Sequence, residues 1–299
     1  KVSHQLFTTR RSCRMSTLTV EHVPTEQREA AILFLSRGHD KTAAKADWVW
    51  ARKATQILAV AGLSPPAGRV VDLVLPEADE SLSTETRDQL LQLLIDRLKS
   101  MDDVYFTQAV ISSGDRAWTQ ALRAQRFRFI ADIDLLAALP QVTKEEANAE
   151  PKVELILAKD DRLLQSTVVA TMVDAVDCLL LEDPRSGADL FEEYSVRCDG
   201  NRDHWYLVEQ ESKLIGCVIL NFCISATLPV EIVYFGVLPE FRGRQLGKRI
   251  LQGIRELASL HARLVTAWVD QINQPALQVY TDSGFQSIAS SKLFVRHCE

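Results

Sequence analysis

Val230-Glu-Ile-Val-Tyr-Phe-Gly-Val237-Leu-Pro-Glu-Phe-Arg242-Gly243-Arg244-Gln245-Leu246-Gly247 is the stretch that decides the fold. Its first eight residues are rich in β-branched and aromatic side chains and read as a strand. Leu238 to Gly247 form a basic, glycine-containing turn. A helix follows over about residues 245–261, with Leu246, Ile250, Leu251, Ile254 and Leu257 on one apolar face. A helix that begins after such a turn is a ready anion site. Its first N–H groups lack intrahelical partners, and its dipole favours negative charge. Packing alone does not call for Arg242-Gly243-Arg244 at that point. A strand over 264–269 and a short helix ending at Gly284-Phe285 complete the stretch.

Working outward, a strand is expected over 153–158, helices over 162–176 and 187–197, and strands over 205–209 and 214–223. Residues 230–237 are then the fourth strand of a mostly antiparallel sheet, with 264–269 returning parallel beside it. The first half repeats this plan. Val74-Leu-Pro-Glu77 and Val237-Leu-Pro-Glu240 each end an apolar β-rich run, and an amphipathic helix follows each. In the first half that helix carries Leu90, Leu91, Leu94, Ile95 and Leu98. A strand (104–111) and a short helix ending at Arg126-Phe127 come next, and a last strand closes each half, over 129–136 and 292–296. The expected organisation is an extension over 1–16, a first α/β unit over 17–138, a polar linker over 139–151 and a second unit over 152–299, the whole being a mixed-sheet α/β (α+β) fold.

Bulk properties narrow the class. A chain of 299 residues, 46% hydrophobic, can bury one large or two ordinary cores. A net charge of -6 with a pI near 5.6 argues against a general nucleic-acid binder. No apolar run is long enough to span a membrane. Cys13, Cys178, Cys198, Cys217, Cys223 and Cys298 form no C-x-x-C pair, and scattered thiols in a chain this long point to a reducing cytoplasm rather than a disulfide framework; no metal site is expected. Residues 1–14 hold Lys1, Arg10, Arg11 and Arg14 and no acid, with Met15 next. They read as an upstream extension rather than a transit peptide.

The central motif resembles the GNAT superfamily of acyl-CoA-dependent N-acyltransferases, whose signature is Val-x-Pro-x-x-Arg-Gly-x-Gly-x-Gly after a strand. This chain has Val237-Leu-Pro-Glu-Phe-Arg242-Gly243-Arg244-Gln245-Leu246-Gly247. The family's later Asn-x-x-Ala-x-x-x-Tyr-x-x-x-Gly-Phe is matched at every signature position by Asn273, Ala276, Tyr280, Gly284 and Phe285. The resemblance covers about residues 152–297 directly and reaches the first half only through the repeat. There the phosphate turn is replaced by Glu77-Ala-Asp79-Glu80, which would repel a pyrophosphate, and Asp115 and Leu122 stand where Asn273 and Tyr280 stand. The first half thus reads as a degenerate copy. Such a tandem is similar to mycothiol-synthase-like GNAT proteins in architecture only.

The resemblance implies a site, residue by residue. Val237, Leu238, Arg242, Gly243, Arg244, Gln245, Leu246, Gly247 and Lys248 would hold acetyl-CoA or another acyl-CoA, with main-chain N–H groups on the pyrophosphate. Glycine is usual where Gln245 stands, and Gln245 reads as the first helical residue, needing only ordinary helical φ. The Val237 N–H would face the thioester carbonyl. Tyr280 would be the acid that protonates the leaving thiolate, and Asn273 would cap its helix and touch the pantetheine arm. Glu231 shares Val237's sheet face by strict alternation and reads either as the base that deprotonates an amine or as a solvent-facing strand entrance. The acids Asp174, Asp177, Glu182 and Asp183 could hold a cationic acceptor or simply solvate a loop. Cys178 has no histidine to activate it, and His204 reads as a surface strand-end residue.

The expected function is therefore transfer of an acyl group, most simply acetyl, to an amine of a small-molecule acceptor in a ternary complex. The expected partners include no nucleic acid and no membrane, and the two halves would make one chain a monomer with an internal pseudo-dimer. A non-catalytic acyl-CoA sensor or interaction protein is the alternative. A protein N-acetyltransferase is a third reading, requiring an open peptide groove.

Overall fold

Alternating apolar runs and capped amphipathic helices build a mixed α/β structure on one 12-stranded sheet. The computed structural model describes residues 18–29, 31, 46–76, 82–140, 152–181, 183, 185–222, 229–261 and 263–298. The extension, the acidic turn at 77–80, Glu182 and most of the linker lie outside the described residues.

In chain order the strands of the first half are β1 (Leu18–His22), β2 (Asp47–Lys53), β3 (Gln56–Leu63), β4 (Val70–Val74), β5 (Phe106–Ser112) and β6 (Arg128–Ala138). Helix α1 (Thr84–Leu98) joins β4 to β5, and α2 (Arg116–Ala124) precedes β6. The second half has β7 (Val153–Leu157), α3 (Asp161–Met172), α4 (Gly187–Arg197), β8 (Trp205–Gln210), β9 (Lys213–Phe222), β10 (Val230–Val237), α5 (Leu246–Ser259), β11 (Val265–Asp270), α6 (Gln274–Asp282) and β12 (Gln286–His297). Both halves run strand, helix, parallel strand, helix, strand: β4 pairs parallel with β5, and β10 with β11. The N-caps correspond too. Asp115 Oδ1 accepts the Trp118 N–H at α2, as Asn273 Oδ1 accepts the Ala276 N–H at α6.

The halves are not closed as the sequence leads one to expect. The order across the sheet is β1-β2-β3-β4-β5-β12-β6-β11-β10-β9-β8-β7. The last strand of each half crosses to the other half: β12 pairs with β5, β6 pairs with β11, and the two pair antiparallel with each other at the centre. In a repeat the open edges of β5 and β11 are equivalent, so strand pattern alone cannot say which final strand takes which edge. Packing follows the exchange. Phe294 of β12 is fully buried in the first-half core with Leu90, Leu94 and Trp118. Leu136 and Ala138 of β6 are buried in the second-half core with Ile250, Ile254 and Val265. Each exchanged large side chain contributes about 1.5–3 kcal/mol by burial, and contributes it to the opposite half.

Within the second half, α5 and α6 cover one face of the sheet, and α3 and α4 cover the other through Leu164, Val168, Leu190 and Tyr194. Helix α3 ends at Met172, earlier than its apolar pattern suggests, because Val173 is extended and Asp174 takes φ +55°. The following segment leans on the first half. Cys178 and Leu181 pack against a cluster holding Val70, Phe106 and Ile133. Nearby, the buried Arg185 guanidinium lies over the Phe106 ring at 4.9 Å and pairs with Glu193 (2.6 Å) and Asp183 (2.7 Å). Gly68 (φ +54°) lies so close to the Asp189 carbonyl that any Cβ there would clash with it.

The exchange makes each half depend on the other. Residues 152–299 expressed alone should form dimers that trade β12 between copies, seen by sedimentation; a stable monomer would show the exchange to be dispensable.

Candidate functional site

The site begins where a ladder stops. β10 pairs with β11 only over Val230, Glu231 and Ile232, and beyond that the two parallel strands diverge. A β-bulge lies between Ile232 and Tyr234 on the β9 side. After it, Leu238 N–H donates to Ile215 C=O at 2.9 Å, which fixes the phase of the β9 ladder. By alternation Tyr234 and Gly236 spend their N–H groups on β9, and Phe235 and Val237 point theirs into the gap beside β11. Two aligned main-chain donors facing a slot between splayed strands can receive an extended chain or a developing oxyanion.

The bulge also corrects the sequence reading of Glu231. One extra residue inverts the alternation, so Val233 and Tyr234 both join the α3–α4 face and Phe235 and Val237 join the α5 face. Glu231 and Val237 therefore lie on opposite faces. Glu231 accepts from Arg197 Nη2 of α4 at 2.8 Å, at the Val230 end of the strand. His204 lies toward that end too, stacked on Phe222 with ring centroids 3.8 Å apart.

Past Val237 the chain enters a 3-10 turn (Pro239–Phe241) and then the basic turn. Arg242, Gly243, Arg244, Gln245 and Lys248 are exposed, and Leu246 is buried. Gly243 has φ +73°. Gln245 is not the first helical residue. It is the N-cap of α5, in the left-handed region at φ +58°, with no side-chain capping bond. A glutamine held there costs on the order of 1–2 kcal/mol. The other α-helices among the described residues have side-chain caps, from Ser83, Asp115, Asp160, Ser186 and Asn273. The N-terminus of α5 has none and no acid in its first turn, so its leading N–H groups stay available beside Arg244 and Lys248. Gly247 allows α6 to approach, since a Cβ there would sit 3.0 Å from Val279 Cγ1.

Arg242 points elsewhere than its motif implies. Its Nε donates to Val237 C=O (3.1 Å), Nη2 to Thr171 C=O (2.9 Å) and Nη1 to Asp174 C=O (3.3 Å). It caps the C-terminal end of α3 and ties that end to the mouth of the gap.

The far wall is α6. Asn273 uses both ends of its amide: Oδ1 caps the helix, and Nδ2 donates to Asp177 Oδ1 at 2.5 Å. Tyr280 is buried, edge-on to Phe285 (5.0 Å) and Phe235 (6.4 Å). Burial first, and the charge of Asp177 second, hold its phenol well above the ordinary range, so it keeps a proton to give. The Cys178 thiol is pushed up to about 12 by burial and by Asp270 and Asp177, which leaves it a poor nucleophile. Asp270 is buried and accepts from the Cys178 N–H at 2.8 Å.

Most of the expected residues thus meet at one place: Val237, the 242–248 turn, Asn273 and Tyr280. Glu231 stands apart. Sequence reasoning missed the Phe235 N–H, which only the bulge directs into the gap. It left Asp177 among several loop acids.

Residues 171–285 match the model of the acetyltransferase (GNAT) family. That match lies in the second half and spans fewer than half of the residues of the chain. The GNAT fold also recurs over nearly the whole chain. A GCN5-related N-acetyltransferase from Sphaerobacter thermophilus is similar with a TM-score of 0.63 at 14% identity, covering 94% of this chain and 95% of that one. An acetyltransferase of the GNAT family from Colwellia psychrerythraea gives 0.56 at 11%, covering 94% and 100%. A tandem GNAT protein from the clavulanic acid biosynthesis pathway gives 0.57 at 13%, covering 94% and 98%. At these identities the likeness concerns the fold. No curated protein matches the chain.

Among the described residues no group of three or more His, Cys, Asp or Glu could hold a metal, and no helix is long and apolar enough to cross a membrane. A depression of about 550 Å³ lined by Thr84, Glu85, Asp88, Gln89, Gln92 and Gln125 lies on the first half and offers no donor pair for acyl chemistry.

Arg242→Ala should lower stability by about 2 kcal/mol, because three carbonyls lose a charged donor, and should speed amide exchange at 173–181. Unchanged melting and exchange would show that Arg242 does not hold this corner.

Proposed function

We propose that the chain transfers an acyl group, most simply acetyl, from acyl-CoA to an amine by direct attack in a ternary complex. One observation carries the reading: the uncapped N-terminus of α5 opens at a basic turn that follows directly from the strand whose Phe235 and Val237 N–H groups face the gap. The first feature suits a pyrophosphate, and the second suits a pantetheine arm ending in a thioester. CoA supplies the activated carbonyl. The residues of this chain do the rest. Main-chain N–H groups of α5, with Arg244 and Lys248, hold the phosphates. Phe235 and Val237 N–H groups orient the thioester and stabilise negative charge on its oxygen. Tyr280 is assigned as proton donor to the departing sulfur from its place in the motif, and burial keeps its phenol protonated. Glu231 is engaged with Arg197.

In this reading the first half is a degenerate GNAT-like unit. Leu122, fully buried, occupies the place of Tyr280 and cannot donate a proton. Its part is structural, completing the shared sheet and seating the 173–181 segment. A single chain then suffices, and the free thiols of Cys178, Cys198, Cys217 and Cys298 suit a reducing cytoplasm. The second reading, an acyl-CoA-binding protein without turnover, is favoured by one feature: the Asn273 amide, which the family motif offers to pantetheine, is already taken by Asp177.

Calorimetric titration with acetyl-CoA should give one saturable site, weakened at least tenfold in Arg244→Glu. Tyr280→Phe should bind acetyl-CoA as the parent does and release thiol about 100-fold more slowly in the presence of an amine. Binding without thiol release from any amine would favour the non-catalytic reading. No binding would remove both.

A further inference from the structure

We propose that Asp177 is the residue that receives the acceptor: its carboxylate binds the ammonium group of an amine with an apolar body and takes its first proton. This rests on the acyl-transfer reading and assigns that site its base and its specificity.

Placement comes first. Asp177 lies on the segment between α3 and α4, yet its carboxylate reaches across the mouth of the gap to Asn273 at the head of α6. There it is within electrostatic reach of Tyr234, which hydrogen-bonds Thr171 at the end of α3, and of Tyr280. The segment is not slack. Asp174 C=O is held by Arg242, the Cys178 N–H by Asp270, and the Leu181 N–H closes a turn onto Cys178 C=O at 2.8 Å.

Charge comes second. On α4 and the segment before it, Asp183 and Glu193 share Arg185, whereas among the described residues the buried Asp270 accepts only from the Cys178 and Ile272 N–H groups. Among the described residues no cation pairs with Asp177, and the nearby Arg242 spends its donors on carbonyls. The groups facing the carboxylate are Asn273, Asp270, Cys178, Tyr234 and Tyr280. Desolvation, with the like charge of Asp270, raises its pKa despite the Asn273 bond. Asp177 is exposed as a residue, and its carboxylate is partly buried where it meets Asn273. An unpaired carboxylate kept beside another acid contributes little to stability, and it is the kind of group that waits for a cationic ligand.

Shape comes third. Val173, Val176, Leu179 and Leu180, all within four residues of Asp177 in the chain, are exposed. Exposed apolar groups on the segment that carries the carboxylate suit an ammonium borne on a hydrocarbon or aryl group better than a polyamine or an amino sugar.

The step balances. The ammonium gives one proton to the Asp177 carboxylate. The freed lone pair forms the C–N bond at the thioester carbon, the C–S bond breaks, and Tyr280 protonates the sulfur. The second nitrogen proton restores the Tyr280 phenol through water, and Asp177 releases its proton to solvent.

The probe is 2-phenylethylamine, with 2-phenylethanol as its uncharged counterpart, titrated calorimetrically into the full chain with and without saturating CoA. The amine should bind the parent, bind Asp177→Asn at least tenfold more weakly, and recover in part with Asp177→Glu; the alcohol should bind neither. Failure of the amine to bind the parent, equal binding by Asp177→Asn, or equal binding of the alcohol would each overturn the proposal. Acetyl-CoA affinity is measured on the same samples. Its absence alongside an Asp177-dependent amine site would sink the acyl-transfer reading and leave the site standing. Melting supplies the readout that a structural role would move. A carboxylate whose folded pKa lies above its unfolded value gives stability below the unfolded value and loses it as pH rises through the folded one. Relative to Asp177→Asn, the parent should therefore lose ground between pH 4 and pH 7. A parent that gains over the variant with rising pH would mark Asp177 as a structural ion and contradict the assignment.

Discussion

The parallel ladder between β10 and β11 stops at Ile232, and the gap beside β10 depends on that break. A paired edge would consume the Phe235 and Val237 N–H groups and leave no slot. The bulge beside the break re-phases the strand, so Phe235 and Val237 pack under α5 and Tyr234 meets Thr171 on the opposite face. Gly236 lets α3 approach at that point, since a Cβ there would lie 2.6 Å from Thr171 Cβ. One inserted residue thereby directs donors into the gap and sends the Tyr234 hydroxyl to Thr171 at the end of α3. It also separates Glu231 from Val237.

The broken ladder is tolerated because the sheet is secured elsewhere. β6 takes the other edge of β11, and β12 pairs along the length of β6 while also closing β5. The exchange places Phe294 in one core and Leu136 in the other, so neither half can shed its final strand without exposing apolar surface belonging to its neighbour. The first half then acts as a buttress. Phe106 supports the Arg185 guanidinium from below, Gly68 lets α4 come close, and the cluster around Phe106 seats Cys178 and Leu181, the residues that flank the exposed Leu179 and Leu180. The first half, with Leu122 where α6 carries Tyr280, thus braces the segment that joins α3 to α4.

Much of this is legible in the sequence. The strand, basic turn and helix from Val230 onward fall where their patterns put them, α4 has the expected bounds, and the two halves repeat one element order. Short-range features carry those readings: apolar periodicity, N-cap residues, and glycine near turns. What stays hidden depends on long-range pairing. Alternation places Glu231 and Val237 on one face, and a bulge is not written in side-chain types. Pattern lets each half close on itself, because two equivalent edges give it no way to choose between final strands. Gln245 looks like ordinary helix, and its left-handed φ follows from how the turn must deliver α5. Arg242 looks like a phosphate ligand by motif and proves to be the clamp on α3.

The slot beside β10 and the uncapped start of α5 lie end to end, and one extended ligand should cover both. Amide hydrogen exchange, resolved by residue, with and without acetyl-CoA, reads this directly. Exchange should slow at Phe235, Val237, Leu246, Gly247 and Lys248 together, with no change at the N-terminus of α1 in the first half. Protection at α5 without Phe235 and Val237, or protection confined to the first half, would contradict a single site.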